Sequence, residues 1–341
     1  MRYAVFSDVH ANRQAWEAVR ADMILQEVET LVCLGDVIGY GPKPREVLAA
    51  VRAATPNFVL GNHDAASCGR MDPAIFNERA RTVIAWTRQQ LDEEALRYLR
   101  EVPLQMEGPG VEFVHAEVVQ PGEFGYIDGP GPAGANLRAM ACPLAFVGHT
   151  HLPAVYVMDP EEGAVTQLAP EDFRVEERKR YLVNVGSVGE PRTTDLRASY
   201  VIYNDLTQTV SFRRVAFDVA GYQVDLAESG LEISPYFVRV TEAGPQPALS
   251  QLPPATVAVE GRKEQLWPAA SPAPGATSNP SEATRASSDS SNLPGWVTLL
   301  LVLVVLGAIG GAAFLVSTQR RESPPDQDGG GAPAADSPRG R

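Results

Sequence analysis

Cysteine is scarce in this chain of 341 residues. Its three cysteines, Cys33, Cys68 and Cys142, are scattered and form no Cys-x-x-Cys pair. That excludes a disulfide framework and a thiolate-bound structural zinc, and it fits a reducing compartment. Positive charge is scarce as well. Residues 1–244 hold 22 Lys and Arg against 34 Asp and Glu, a net of −12, and the whole chain stands at −13. A surface of that sign repels a phosphate backbone, so nucleic acid is not expected as a partner. No internal repeat is visible. No signal peptide is expected, because Arg2-Tyr3-Ala4-Val5-Phe6 already reads as a first strand. Histidine is rare too: there are five, and all five fall in short polar stretches that follow apolar runs.

Those runs come in a regular order. Residues 2–6 are apolar and β-prone and end at Ser7-Asp8-Val9-His10. From Arg13 to about Gln26, Trp16, Val19, Met23 and Ile24 recur at helical spacing. Residues 31–34 form a continuous apolar run, as a strand buried on both faces would, and stop at Gly35-Asp36. Pro44 opens a second helix that runs to about Ala54. Residues 57–60 read as a third strand and deliver Gly61-Asn62-His63-Asp64. The stretch 73–100 is helical, with Asp92 as an N-cap, and borders or covers whatever the strands deliver. Residues 111–114 lead to His115, and 144–147 lead to Gly148-His149-Thr150-His151. In open α/β sheets the C-terminal edge of the strands is where ligands bind.

Beyond His151 the texture changes to alternating, turn-separated strands at 155–158, 165–169, 181–183, 199–203 and 210–217. They predict a second, largely antiparallel sheet, and with helices outside the two sheets form a layered α/β sandwich. The glycine-rich stretch Asn184-Val185-Gly186-Ser187-Val188-Gly189 fits a plain turn or a close approach of backbone to the site.

The polar stretches bring carboxylates, imidazoles and one amide. That donor set suits two borderline-hard divalent ions. On a strand end, Asp8 and His10 would point to one side, and His149 and His151 would repeat the geometry. Asp36 can offer one carboxylate oxygen to each of two ions. Asn62 adds a neutral carbonyl oxygen, and His115 completes two pockets. A pair of ions ~3.5–4 Å apart activates a water and clamps phosphate oxygens. His63 is left over and would face the leaving group as general acid or electrostatic stabiliser.

These stretches, in this order, resemble the calcineurin-like metallophosphoesterase superfamily, and in particular its compact prokaryotic branch of predicted phosphoesterases. Gly35-Asp36-Val37-Ile38-Gly39-Tyr40-Gly41-Pro42 and Asn184-Val185-Gly186-Ser187-Val188-Gly189-Glu190-Pro191-Arg192 resemble stretches typical of that branch. The resemblance spans about residues 1–244 and implies a four-layer α-β-β-α sandwich. It implies one metal held by Asp8, His10, Asp36 and His151, the other by Asp36, Asn62, His115 and His149, with His63 catalytic. Mn²⁺ is the expected ion, with Fe, Zn, Ni or Mg as alternatives. The expected activity is hydrolysis of phosphomonoesters or phosphodiesters, with small molecules and phosphoproteins as candidate substrates. The same centre would serve a symmetrical dinucleoside tetraphosphate hydrolase, and a non-catalytic metal-site scaffold is the reading from another class. Two departures stand out: Ala116-Glu117 follows His115 where a glycine is common, and Val185 stands where proline is frequent.

The C-terminal third reads differently. Residues 245–293 are rich in Pro, Ala and Ser and predict a disordered linker. Residues 296–316 are 21 uncharged, mostly apolar residues behind an interfacial Trp296, so a transmembrane helix is expected over 294–317. A disordered tail, 318–341, follows. Arg320 and Arg321 would favour a cytosolic tail by the positive-inside rule. The unpaired cysteines and the absence of a leader favour the opposite, a single-pass C-terminal anchor with the catalytic domain in the cytosol.

Overall fold

A computed structural model describes residues 1–237. The expected linker, membrane helix and tail, and the expected domain end at 244, lie outside the described residues. Among the described residues no helix is long and apolar enough to cross a membrane.

The chain opens with β1 (Arg2–Phe6), α1 (Arg13–Leu25), β2 (Thr30–Cys33) and α2 (Pro44–Ala54). Three helices follow: α3 (Asn62–Cys68), α4 (Glu78–Gln90) and α5 (Glu93–Glu101). Then come β3 (Gln105–Gly108), β4 (Val111–Val114), α6 (Pro130–Ala139), β5 (Leu144–Val147), β6 (Ala154–Met158) and β7 (Val165–Leu168). The described part closes with β8 (Phe173–Arg174), β9 (Arg180–Asn184), β10 (Ala198–Asn204), β11 (Thr209–Val215) and α7 (Val219–Ser229).

The strands form a five-stranded sheet, β2-β1-β10-β11-β8, and a six-stranded sheet, β3-β4-β5-β9-β6-β7. Alternation along each strand shows how they pack. Tyr3, Val5, Val32, Val201 and Tyr203 of the first sheet meet Phe113, Phe146, Val155 and Val183 of the second in one buried cluster between the sheets. The opposite faces turn outward onto helices. Ala4, Phe6, Tyr200 and Ile202 pack with Trp16, Val19 and Met23 of α1, Val47 and Leu48 of α2, and Tyr222 of α7. Ala145, Val147, Tyr156 and Leu182 pack with Ala133 and Leu137 of α6. The order of layers is α-β-β-α.

Local chemistry explains the helices. The Asn12 side chain accepts from Ala15 N–H and starts α1, and Asp92 does the same for α5 through Ala95 N–H. Pro44 sits in the first turn of α2.

Two expectations are corrected. Residues 57–60 are not a strand: only Phe58 bridges to Cys33, and Leu60 N–H turns away to the Pro103 carbonyl. The late alternating strands do not make a sheet of their own. β10 and β11 join β1 and β2, while β6, β7 and β9 join β4 and β5. Among themselves the late strands do pair antiparallel, as expected, and β9 also runs parallel to β5. The stretch 73–100 is helical as expected: a single 3-10 turn at Pro73–Ile75 and α4 precede the helix that Asp92 caps.

Candidate metal centre

The polar stretches meet at one place, where the loops after β1, β2, β4 and β5 converge with the N-terminus of α3. The geometry is not that of strand ends. Asp8 (φ 56°), His10 (47°), Asp36 (51°), His149 (66°) and His151 (62°) all occupy the left-handed region. Non-glycine residues rarely do so, and a cluster of them marks backbone held in place by its surroundings. These turns, rather than strand alternation, aim the side chains inward.

The restraints are visible. Asp8 N–H donates to Gly35 O, and His10 N–H to Asp36 O, which ties the first two loops together. Asp64 accepts from Val37, Ile38 and Gly61 N–H and binds the second loop to the start of α3. Burial pushes the Asp64 carboxyl up to about 7 despite those donors. Gly61 and Gly148 are required by close approach. A methyl at Gly61 would overlap the Asp36 carboxylate, and one at Gly148 would overlap Ser7 and Asp8.

Two groups of donors result. Asp8, His10 and His151 form one; Asp36, His115 and His149 form the other. Within each, the donor atoms lie within 4.8 Å of one another, and all six residues are buried. Asn62 Oδ1 joins the second group, 3.1 Å from His115 Nε2. Asp36 links the groups differently from the expectation. Its Oδ1 accepts from His63 N–H, and its Oδ2 alone faces both groups, 3.7 Å from His10 Nε2 and 3.5 Å from His115 Nε2.

The imidazoles are oriented from behind. Nδ1 of His10, His115 and His151 lies 3.1, 2.8 and 2.5 Å from the carbonyls of Ile38, Leu34 and Glu190. Donation there leaves each Nε2 lone pair pointing inward, as metal-binding histidines require. His149 is reversed and presents Nδ1, 3.2 Å from His115 Nε2. Burial lowers the pKa of His10, His115 and His149, which favours the neutral form that binds cations. Burial also raises Asp36, with Asp64 and Asp8 adding to the effect. Asp8 Oδ1 is buried with no hydrogen-bond partner. Converging lone pairs, a crowd of carboxylates and an orphaned carboxylate oxygen are the features that two divalent cations would satisfy. The seven residues present fit that group.

His63 stands apart from both groups. Its ring packs against Tyr40 (centroids 4.5 Å), His10 (5.0 Å) and Phe76 (5.3 Å), and its buried Nδ1 has no partner. Burial pushes its pKa well below the ordinary value, with His151 and Arg192 adding to the effect. A cavity of about 360 Å³ opens onto Asp36, Asn62, His63, His149 and His151. Phe76, Asn77 and Ala80 border it, so the helical stretch does flank the site.

Several wall residues were not anticipated. Phe124 and Tyr126 come from the loop after β4, and the Tyr126 ring packs against His149, tilted by 41° with centroids 4.2 Å apart. Glu117 does not line the mouth itself; its carboxylate accepts from Gly125 N–H and braces that loop. Arg192 forms another wall. Val185 N–H donates to Val147 O, a bond that a proline would lose. The glycine-rich stretch is more than a turn: Val188 and Gly189 donate to Ser7 and Asp8 carbonyls, and Glu190 O receives His151. Arg192 ends a stretch that carries the resemblance but took no role from it, and the rings at 124 and 126 carry no pattern in the sequence; the fold brings all three to the cavity.

Comparison with known proteins agrees with this geometry. The calcineurin-like phosphoesterase superfamily domain matches residues 1–207. An uncharacterized protein of Methanocaldococcus jannaschii is 34% identical over 220 residues, covering 63% of this chain and 88% of the relative. The crystal structure of a metallophosphoesterase from Sphaerobacter thermophilus is 38% identical, with a TM-score of 0.61 over 71% of this chain and 99% of that one. A hypothetical protein from Pyrococcus horikoshii shares the fold at 19% identity and a TM-score of 0.55, over 70% of this chain and 97% of its own.

Proposed function

Because the chain belongs to the calcineurin-like phosphoesterase superfamily and is a metallophosphoesterase, we propose that it hydrolyses phosphomonoesters or phosphodiesters at a dinuclear metal centre, with Mn²⁺ as the ion. The observation that carries this reading is the single oxygen, Asp36 Oδ2, standing between two buried groups of donors. Asp8, His10, Asp36 and His151 would hold one ion, and Asp36, Asn62, His115 and His149 the other. Bound divalent ions would lower the pKa of an attacking water and draw charge from the phosphoryl oxygens.

The chain's own residues do the rest. The carbonyls of Leu34, Ile38 and Glu190 fix three imidazoles, so the donors need no rearrangement when substrate arrives. His63, neutral in its apolar setting, lines the cavity and can donate a hydrogen bond to the leaving-group oxygen. Phe76, Phe124 and Tyr126 narrow the approach and keep bulk water from it.

The C-terminal sequence supports a tether. The linker 245–293, as a flexible coil, would let the domain reach roughly 40 Å from a bilayer that holds residues 294–317. Substrates at or near the membrane would then be favoured by local concentration. With the domain in the cytosol, protease added to intact cells or spheroplasts leaves it uncut; its removal from outside would reverse the orientation.

The activity is tested with the metal-reconstituted full chain against p-nitrophenyl phosphate, bis-p-nitrophenyl phosphate, a phosphopeptide and diadenosine tetraphosphate. Metal-dependent turnover of either nitrophenyl ester supports the reading. Turnover of the tetraphosphate alone would move it to dinucleoside polyphosphates, and of the phosphopeptide alone to phosphoproteins.

A further inference from the structure

Arg192 is a partly buried guanidinium in the cavity wall that forms no hydrogen bond or ion pair among the described residues. The neighbouring arginine of this region is placed otherwise. Arg79 lies over the Tyr40 ring at 4.6 Å, and both its Nη atoms lie 3.4 Å from Glu190 Oε1. Glu190 is the acidic residue adjacent in sequence to Pro191-Arg192, and it is committed to Arg79. Glu123, on the exposed side of the cavity, forms no ion pair with Arg192 either. Glu190 and Asp8 favour its charge through space but neither pairs with it, so the guanidinium keeps its hydrogen-bond donors free for an anion that arrives.

Its neighbours say which anion. Arg192 shares the cavity with His63, Asn62, His151 of one donor group, and Asp36 and His149 of the other. An anion bound at those donors lies in the same cavity as the guanidinium. Resting on the phosphoesterase reading above, we propose that Arg192 binds the non-bridging oxygens of the substrate phosphate and makes this enzyme prefer phosphomonoesters over phosphodiesters.

The chemistry follows from charge and oxygen count. A monoester carries a charge near −2 at pH 7 and three strong acceptor oxygens. A diester carries one charge and one fewer such oxygen. The planar fork of arginine can pair two oxygens of either ester, but the doubled charge of the dianion makes those charge-assisted bonds stronger. At the mouth, Glu123 and the acidic surface repel a substrate whose remainder is itself strongly anionic. A polyphosphate chain is therefore a poorer fit than one terminal phosphate on a small organic group.

The test uses the full chain loaded with Mn²⁺, as wild type, Arg192→Gln and Arg192→Lys. Metal content and the thermal midpoint confirm that each variant folds and loads. Two quantities are read: kcat/KM on p-nitrophenyl phosphate and bis-p-nitrophenyl phosphate, and the Kd of inorganic phosphate by calorimetry. Loss of a charge-assisted pair predicts that Arg192→Gln loses about 100-fold on the monoester, about threefold or less on the diester, and about 10- to 100-fold in phosphate affinity. Arg192→Lys should fall between. Equal losses on both esters, or unchanged phosphate affinity, would overturn the assignment while leaving the hydrolase reading intact. If the wild type turns over neither ester yet loses phosphate binding on Arg192→Gln, the hydrolase reading fails and Arg192 remains the phosphate-binding residue.

Discussion

His10 Nε2 and His151 Nε2 lie 3.1 Å apart, although 141 residues separate them in the chain. Each ring is held at Nδ1 by a backbone carbonyl, Ile38 for one and Glu190 for the other. Two inward lone pairs at that distance repel unless a cation sits against them.

Removal of metal should therefore cost stability as well as turnover. A site saturated at about 100 times its Kd contributes ~2.7 kcal/mol, which for a domain of this size is a fall of roughly 5–10 °C in thermal midpoint. Prolonged chelation should abolish activity and lower the midpoint, and Mn²⁺ should restore both. An unchanged midpoint together with full turnover in metal-free protein would show that these donors hold no ion.

His63 separates holding metal from doing chemistry. It belongs to neither donor group, and its ring is set by Tyr40 and Phe76. His63→Ala should keep both ions by elemental analysis and lose on the order of 10²–10⁴ in kcat. Asp36→Ala should lose metal too, because both groups face its Oδ2. Metal-free His63→Ala protein would contradict this division.

Asn12 acts on the fold and on the site's framework together. Its Oδ1 caps α1 through Ala15 N–H, and its Nδ2 donates to Gly189 O, 177 residues away. Asn12→Ala removes a cap and strands a buried carbonyl, for a loss of about 1–3 kcal/mol in urea unfolding. A change within experimental error would mean that water replaces both bonds.

Tyr98 gives a pH dependence away from the metal ligands. Burial pushes its phenol up to about 12, and the Arg52 guanidinium covers its ring at 4.1 Å. The unfolded chain releases this proton near pH 10 while the folded chain keeps it, so the unfolded state binds fewer protons across that interval. Stability from this group is present below pH 10 and is lost as pH rises through 12. Between pH 9 and 11.5 the wild type should lose more stability than Tyr98→Phe, measured by urea midpoints at each pH. Parallel declines would place the alkaline sensitivity elsewhere.

Much of the site was legible because buried strands write themselves as apolar runs that end in a polar stretch. Asp8, Asp36, His115 and His149 were found that way, and they meet. Strand partners were less legible. The alternation of 199–203 gives its faces but not its neighbour, and β10 pairs antiparallel with β1 across the length of the domain. Residues 57–60 have strand composition, yet a single bridge to Cys33 is all the pairing they find. α6 was hidden by its prolines and glycines, which propensity alone reads as loop. The left-handed turns at Asp8 and His10 were invisible because tertiary hydrogen bonds impose them against local preference.

The place of β1 sets an order of events during synthesis. It lies between β2 and β10, and Arg2 through Val5 pair with Asn204 through Val201. Asp8, moreover, is held through its carbonyl by Gly189 N–H and Ser187 Oγ. At about 5–20 residues per second, roughly 10–40 s pass before the ribosome delivers the strand that closes this sheet. Until then one side of β1 is an open edge that any extended neighbour can occupy. The first ligand to be made is thus among the last to be fixed, and a nascent chain interrupted before residue 189 carries its donors without the frame that would let them share a cation.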